Sequence, residues 1–138
     1  MGFFSTLFGG GAAAKEKIRA EINLADAVQA HIHWKLRLEN YVNGKSDEAL
    51  DPLVIARDDQ CDLGKWINGP GLQAFHDNKE FLQLRDNHAQ FHYLAANVVK
   101  HVQDKDTAGA HALLTGQYAA ISHKVVAELT DLNKEIAE

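Results

Sequence analysis

The sequence predicts an all-α protein, an antiparallel four-helix bundle in which one short, broken helix carries the single cysteine. Three observations support this. Only two prolines occur, Pro52 and Pro70, and the segments between breakers are rich in Ala, Leu, Lys, Glu and Gln, residues that lose little on entering a helix. Apolar residues in those segments recur at strides of three and four, the period of a helix with one buried face. No strand-like alternation competes with that period, and no internal repeat is visible. Three long amphipathic helices and one interrupted one, joined by short turns, bury their stripes by packing on one another.

Residues 1–11 read as a flexible N-terminal lead-in, with Phe3, Phe4, Leu7 and Phe8 followed by a Gly9–Gly11 hinge, and 12–138 as the bundle domain. The start lacks the basic leader and long apolar stretch of a signal peptide. It formally fits the myristoylation pattern through Gly2 and Thr6. The first helix is expected from about Ala12 to Val42, ended by Asn43–Gly44. Its stripe is Leu24, Val28, His31, Trp34, Leu38 and Tyr41. The second starts where Asp51 caps and Pro52 suits the first turn, runs toward Cys61 and Trp66, and is broken by Asn68-Gly69-Pro70-Gly71. The third begins near Asp77, with Glu80 completing a capping box, and carries Phe81, Leu84, His88, Phe91, Ala95, Val98 and Val102. The fourth starts near Asp106 and Thr107 and carries Leu114, Tyr118, Ile121, Val125, Leu129, Leu132 and Ile136.

Composition narrows the function. A formal net charge of -5 with scattered lysines and arginines argues against a nucleic-acid partner, which requires a basic face. No stretch reaches the roughly twenty apolar residues of a membrane span, so a cytoplasmic protein is expected. A lone cysteine forms no internal disulfide. Eight histidines in 138 residues is the unusual feature, and histidine is what metal sites draw on.

His88 and His92 are four apart on a helix, so their imidazoles stand on one face and can share one ion. His88 lies on the apolar stripe, which points the pair inward, where an unpartnered polar group costs about 1–3 kcal/mol. The first helix offers a third imidazole, and spacing alone admits His31 or His33. His31 is in phase with the stripe, and His33 is turned about 160° from it, so His31 is favoured. Cys61 is then the natural fourth donor, the other reading of a lone cysteine being a small buried hydrophobe. Three imidazoles and a thiolate make a closed tetrahedral set that suits Zn²⁺ and not Mg²⁺ or Ca²⁺. His33, His76, His101, His111 and His123 read as surface or loop residues.

His31 followed by Trp34, then Cys61-Asp62-Leu63-Gly64-Lys65-Trp66, then His88 and His92, closely resembles the chemoreceptor zinc-binding domain family of bacteria. That family has a histidine three positions before an aromatic, then Cys-x-aliphatic-Gly-x-aromatic, then His-x-x-x-His. The resemblance spans roughly residues 20 to 130. It implies a four-helix bundle holding one zinc through His31, Cys61, His88 and His92, and a regulatory role in bacterial chemotaxis or cyclic-di-GMP control. Family members usually sit beside a chemoreceptor signalling domain or a diguanylate cyclase. This chain has no room for either, so a separate signalling protein of that type, self-assembly as a homodimer, or zinc buffering is expected instead. Cys61 is also the expected oxidation target if the signal is redox.

Two other classes fit less well. A zinc hydrolase of the His-Glu-x-x-His type has Glu directly after its first histidine, where this chain has Ala89, and four protein ligands leave no position for water. A di-iron or haem oxygen-binding bundle of the Glu-x-x-His kind has Glu three positions before its histidines, where this chain has Arg85 and Ala89. The sequence therefore reads as a non-enzymatic zinc-binding regulator.

Overall fold

The computed structural model describes residues 12–137, all of whose regular structure is helical. The lead-in of residues 1–11, with its hinge and myristoylation pattern, lies outside the described residues, as does residue 138. The elements are α1 (Ala12–Glu21), α2 (Leu24–Val42), α3 (Pro52–Ile55), α4 (Asp62–Trp66), α5 (Leu72–Phe75), α6 (Lys79–Gln103), α7 (Thr107–Thr115) and α8 (Gln117–Ala137), with a π-turn over Ile67–Gly71 joining α4 to α5. They form four rods: α1 with α2, the arm α3–α5, α6, and α7 with α8. Consecutive rods run in opposite directions. The Gln103 amide at the end of α6 bonds the Tyr41 hydroxyl and the Leu50 carbonyl, so α2 and α6 finish at the same end of the bundle.

The predicted stripes form the core. Leu24, His31 and Leu38 of α2, Phe81, Leu84, His88, Phe91, Ala95 and Val98 of α6, and Leu114, Tyr118, Ile121, Val125, Leu129, Leu132 and Ile136 of α7 and α8 are all buried, whereas Val28, Trp34, Tyr41 and Val102 of the same stripes are half-buried against them. Each helix buries one face, which is why a period of 3.6 was visible in the sequence. Burial of large side chains such as Phe81, Phe91 and Tyr118, each worth about 1.5–3 kcal/mol, dominates the cohesion of such a bundle.

Helix boundaries differ from the sequence expectation in four places. The first helix is not continuous: it breaks at Ile22–Asn23, because the Asn23 side chain accepts the Asp26 N–H at 3.0 Å and restarts the chain as α2. The second is not one helix reaching Cys61. Asp51 caps and Pro52 opens it as expected, but α3 ends after one turn, and Cys61 is the N-cap of the separate helix α4. The cap of α6 is Asn78, whose side chain accepts the Phe81 N–H at 2.8 Å, and not Asp77. The last helix begins under Asp106 as expected but kinks at Gly116, where φ of -104° and ψ of -100° leave the helical region. Asn43 and Gly44 end α2 as expected, Gly44 taking a φ of +70° that suits glycine.

The arm is held through its aromatic residue. Trp66 is buried against Phe75 and Phe81, ring centroids 6.4 Å and 5.9 Å away, and its indole N–H donates to Glu21 at 3.3 Å. Gly71 in the π-turn lets the chain pass close by: a Cβ there would meet the Trp66 carbonyl oxygen and Phe81 Cε1, each at 2.9 Å. The arm is thereby laid along the bundle with Cys61 facing α2 and α6.

Candidate metal centre

The structure brings together the four residues that the sequence singled out. His31 comes from α2, Cys61 from the start of α4, and His88 and His92 from successive turns of α6. One donor atom from each lies within 4.8 Å of the others. Cys61 Sγ is 3.4 Å from His88 Nε2 and 3.7 Å from His92 Nε2, and the two Nε2 atoms are 3.1 Å apart. Zinc–nitrogen bonds of ~2.0–2.1 Å and zinc–sulfur bonds of ~2.3 Å give a tetrahedron with edges of about 3.3–3.7 Å. Among the described residues no other group of three or more His, Cys, Asp or Glu is arranged to hold an ion. His33 is exposed on the outer side of α2, as the stripe predicts, and His76, His101, His111 and His123 are also outside the cluster.

Hydrogen bonds fix two of the three imidazoles. His31 Nδ1 is 2.7 Å from the Ala27 carbonyl, one helical turn back, and His92 Nδ1 is 3.0 Å from the Ile55 carbonyl at the end of α3. A carbonyl only accepts, so each Nδ1 carries the proton and each Nε2 presents a lone pair. His31 Nε2 is buried with no hydrogen-bond partner in the described structure. A buried nitrogen with a lone pair and no donor is costly unless a cation meets it. The donor set therefore fits a metal ion, and the two carbonyls play the part that outer-shell groups play for metal-bound histidines.

Burial sets the protonation of the cluster. Loss of solvent, opposed by the Ala27 carbonyl and reinforced by His92, lowers His31 to about 4. Desolvation, with His92 and His31 as neighbours, lowers His88 to about 2. Desolvation also lowers His92, against the pull of the Ile55 carbonyl. The same burial raises the Cys61 thiol, although the N–H groups of Gly64 and Leu63 favour its thiolate. At neutral pH the metal-free cluster thus holds three neutral imidazoles and one thiol.

This gives a pH dependence with a definite sign. An unfolded histidine titrates near 6.5, so between pH 6.5 and about 4 the unfolded chain takes up protons that folded His31 and His88 refuse. The stability contributed by these neutral histidines is complete above pH 6.5 and is lost as the pH falls, by up to ~1.4 kcal/mol per pH unit for each. Denaturant unfolding of chelator-treated protein from pH 7.5 to 4.5 checks this, and an unchanged stability across that range contradicts it.

Cys61 is placed by capping. Its sulfur accepts the Gly64 N–H at 3.3 Å, as a cap side chain does at the first turn of a helix. Gly64 has no alternative: a Cβ there would overlap the Asp58 carbonyl, with its carbon at 2.7 Å, because the loop of Asp58 and Asp59 crosses directly over α4. The resulting arrangement points the half-buried sulfur at His88 and His92. The cap function of Cys61 and the Ile55 carbonyl on His92 were not visible in the sequence. The carbonyl has no signal there, being 37 positions away. The cap had none either: cysteine is not among the residues that mark a helix start, and the helix expected here ran on through Cys61.

Three buried imidazoles and a half-buried thiol brought together between the rods of a helical bundle define a class, a small all-α protein with a candidate metal site at its centre. The family described as the chemoreceptor zinc-binding domain matches residues 31–99, half of the 138 residues, and the chain belongs to that family. The matched span begins at His31 and contains Cys61, His88 and His92. No match was found among curated proteins or among solved structures. No helix among the described residues is long and apolar enough to cross a membrane.

Proposed function

We propose that this protein is a zinc-binding regulatory module in which His31, Cys61, His88 and His92 ligate one Zn²⁺. The observation that carries the reading is the convergence of four donor atoms within 4.8 Å, with the lone pairs of His31 and His92 aimed inward by main-chain carbonyls. A zinc ion bound there supplies the positive charge that keeps Cys61 as thiolate and links α2, α6 and the arm. Four protein donors leave no open coordination position, so the site is read as non-catalytic.

The arm is the element that occupancy controls. Its helices α3, α4 and α5 are each five residues or shorter, too short to persist without tertiary support. Cys61 ties it to α6 through the metal, while Trp66 packs further along. Loss of the metal therefore loosens the stretch between Ile55 and Cys61 first, and this is the two-state element a sensor needs. The output passes to a partner, either a second copy in a homodimer or a separate signalling protein of chemoreceptor or diguanylate cyclase type, in the cytoplasm. The signal is zinc itself, or an oxidant that removes the Cys61 ligand.

Purified protein is expected to contain one zinc per chain by elemental analysis. Chelation should lower the thermal midpoint and the amide protection of residues 52–66 while the helical signal of α2, α6 and α8 persists. Because the imidazoles are already neutral and the thiol is already protonated, zinc uptake at pH 7 should release about one proton, measured by calorimetry in buffers of different ionisation enthalpy. Absence of zinc uptake, or uptake with no proton released, is incompatible with this ligand set.

A further inference from the structure

A cavity of about 710 Å³ opens between the start of α2 and the arm, and its lining includes His31 and Cys61 but neither His88 nor His92. Two observations make it more than a surface hollow. His31 is 2% exposed, and its Nε2 has no hydrogen-bond partner. Cys61 is the one half-buried member of the cluster, whereas the three histidines are each buried to within 4% of completely. Access to the donors is thus one-sided. The wall also carries three carboxylates, Glu21, Asp26 and Asp62, against one ammonium, Lys65. Among the described residues neither Asp26 nor Asp62 takes part in an ion pair, so their charge is not neutralised locally. A cleft lined by one sign of charge concentrates the opposite ion and raises its association rate.

We propose that this cavity is the port through which a divalent metal ion reaches and leaves the cluster, meeting Cys61 and His31 first. The inference rests on the zinc-site reading and adds a kinetic property to it. Ions drawn in by Asp26 and Asp62 bind first at Cys61, the half-buried donor, and at His31, the other donor residue lining the cavity, and only then to His88 and His92 behind them. On release the order reverses, and Cys61 is among the last contacts before solvent. A small chelator that takes metal from the protein acts from this side.

The test is stopped-flow zinc exchange on the full chain. Zinc uptake by chelator-stripped protein gives the on-rate, transfer to a chromophoric chelator gives the off-rate, and a competition titration gives the affinity. Ala30 lines the cavity, is exposed on α2 and is not a ligand. Ala30→Trp should slow both rates by the same factor and leave the affinity unchanged. The expected factor is about tenfold, equivalent to ~1.4 kcal/mol of added barrier. Asp26→Asn with Asp62→Asn should lower the on-rate severalfold and flatten its dependence on salt. Gln90→Trp, on an exposed position of α6 away from the cavity, should change neither rate. Parent-like rates in both cavity variants, or a loss of affinity in Ala30→Trp without matched slowing, overturn the port. A parent chain that takes up no zinc overturns the zinc-site reading beneath it.

Discussion

Cys61→Ala is expected to weaken zinc binding by more than a hundredfold while leaving the long helices formed. A change in the outer shell of a metal site typically costs 10–100-fold, and in the proposed site Cys61 is a direct donor and the sole anionic one, so its loss should exceed that range. The helices persist because Cys61 lies outside them, at the start of α4, and its sulfur contributes to the fold mainly by accepting the Gly64 N–H. Loss of such a cap costs about 0.5–2 kcal/mol. Cys61→Ser separates the two roles: serine restores the cap but is a poor zinc donor, so stability should return and affinity should not. Competition titration against a chelator of known affinity, with circular dichroism alongside, gives both quantities. Parent-like affinity in Cys61→Ala would falsify the assignment of this thiol.

Gly64→Ala is expected to destabilise the metal-free protein by about 3 kcal/mol or more, at the upper end of what overpacking a filled site costs. The new methyl would overlap the Asp58 carbonyl, with Asp59 Cα at 3.1 Å, and both neighbours are main chain that no rotamer change can move. Either α4 shifts or the 58–59 loop lifts, and both carry Cys61 away from His88 and His92. Stability and zinc affinity should therefore fall together, the opposite of the pattern for Cys61→Ser. Gln60→Ala, an exposed loop change beside it, should stay within about 0.5 kcal/mol of the parent. Urea unfolding of chelator-treated variants measures this. Parent-like stability in Gly64→Ala contradicts the close crossing.

Much of this protein was legible without coordinates because the informative patterns were local. A helix with one buried face writes that face into the chain every three or four residues, and Phe81 through Val98 and Leu114 through Ile136 obey that rule. His88 and His92 follow the same rule, so one face of one helix placed two imidazoles together. The phase of His31 on its stripe, against the exposed His33, selected the third. The helix breaks were less legible: neither Asn23 nor Gly116 interrupts the apolar period, and each acts through its own cap or backbone conformation.

By itself, then, the sequence determined the helical class, the buried stripes and which four residues would converge as candidate donors, since all of these follow from periodicity and side-chain chemistry. Only the tertiary structure decided how the donors are presented. The Ile55 carbonyl on His92, the Asp58 carbonyl over Gly64, the Glu21 carboxylate on the Trp66 indole and the cavity at His31 and Cys61 fall in this class. Apart from the local crossing of Asp58 over Gly64, they join residues 30 to 45 positions apart. A carbonyl is chemically the same at every position of the chain, so which one orients an imidazole depends on where packing brings the backbone.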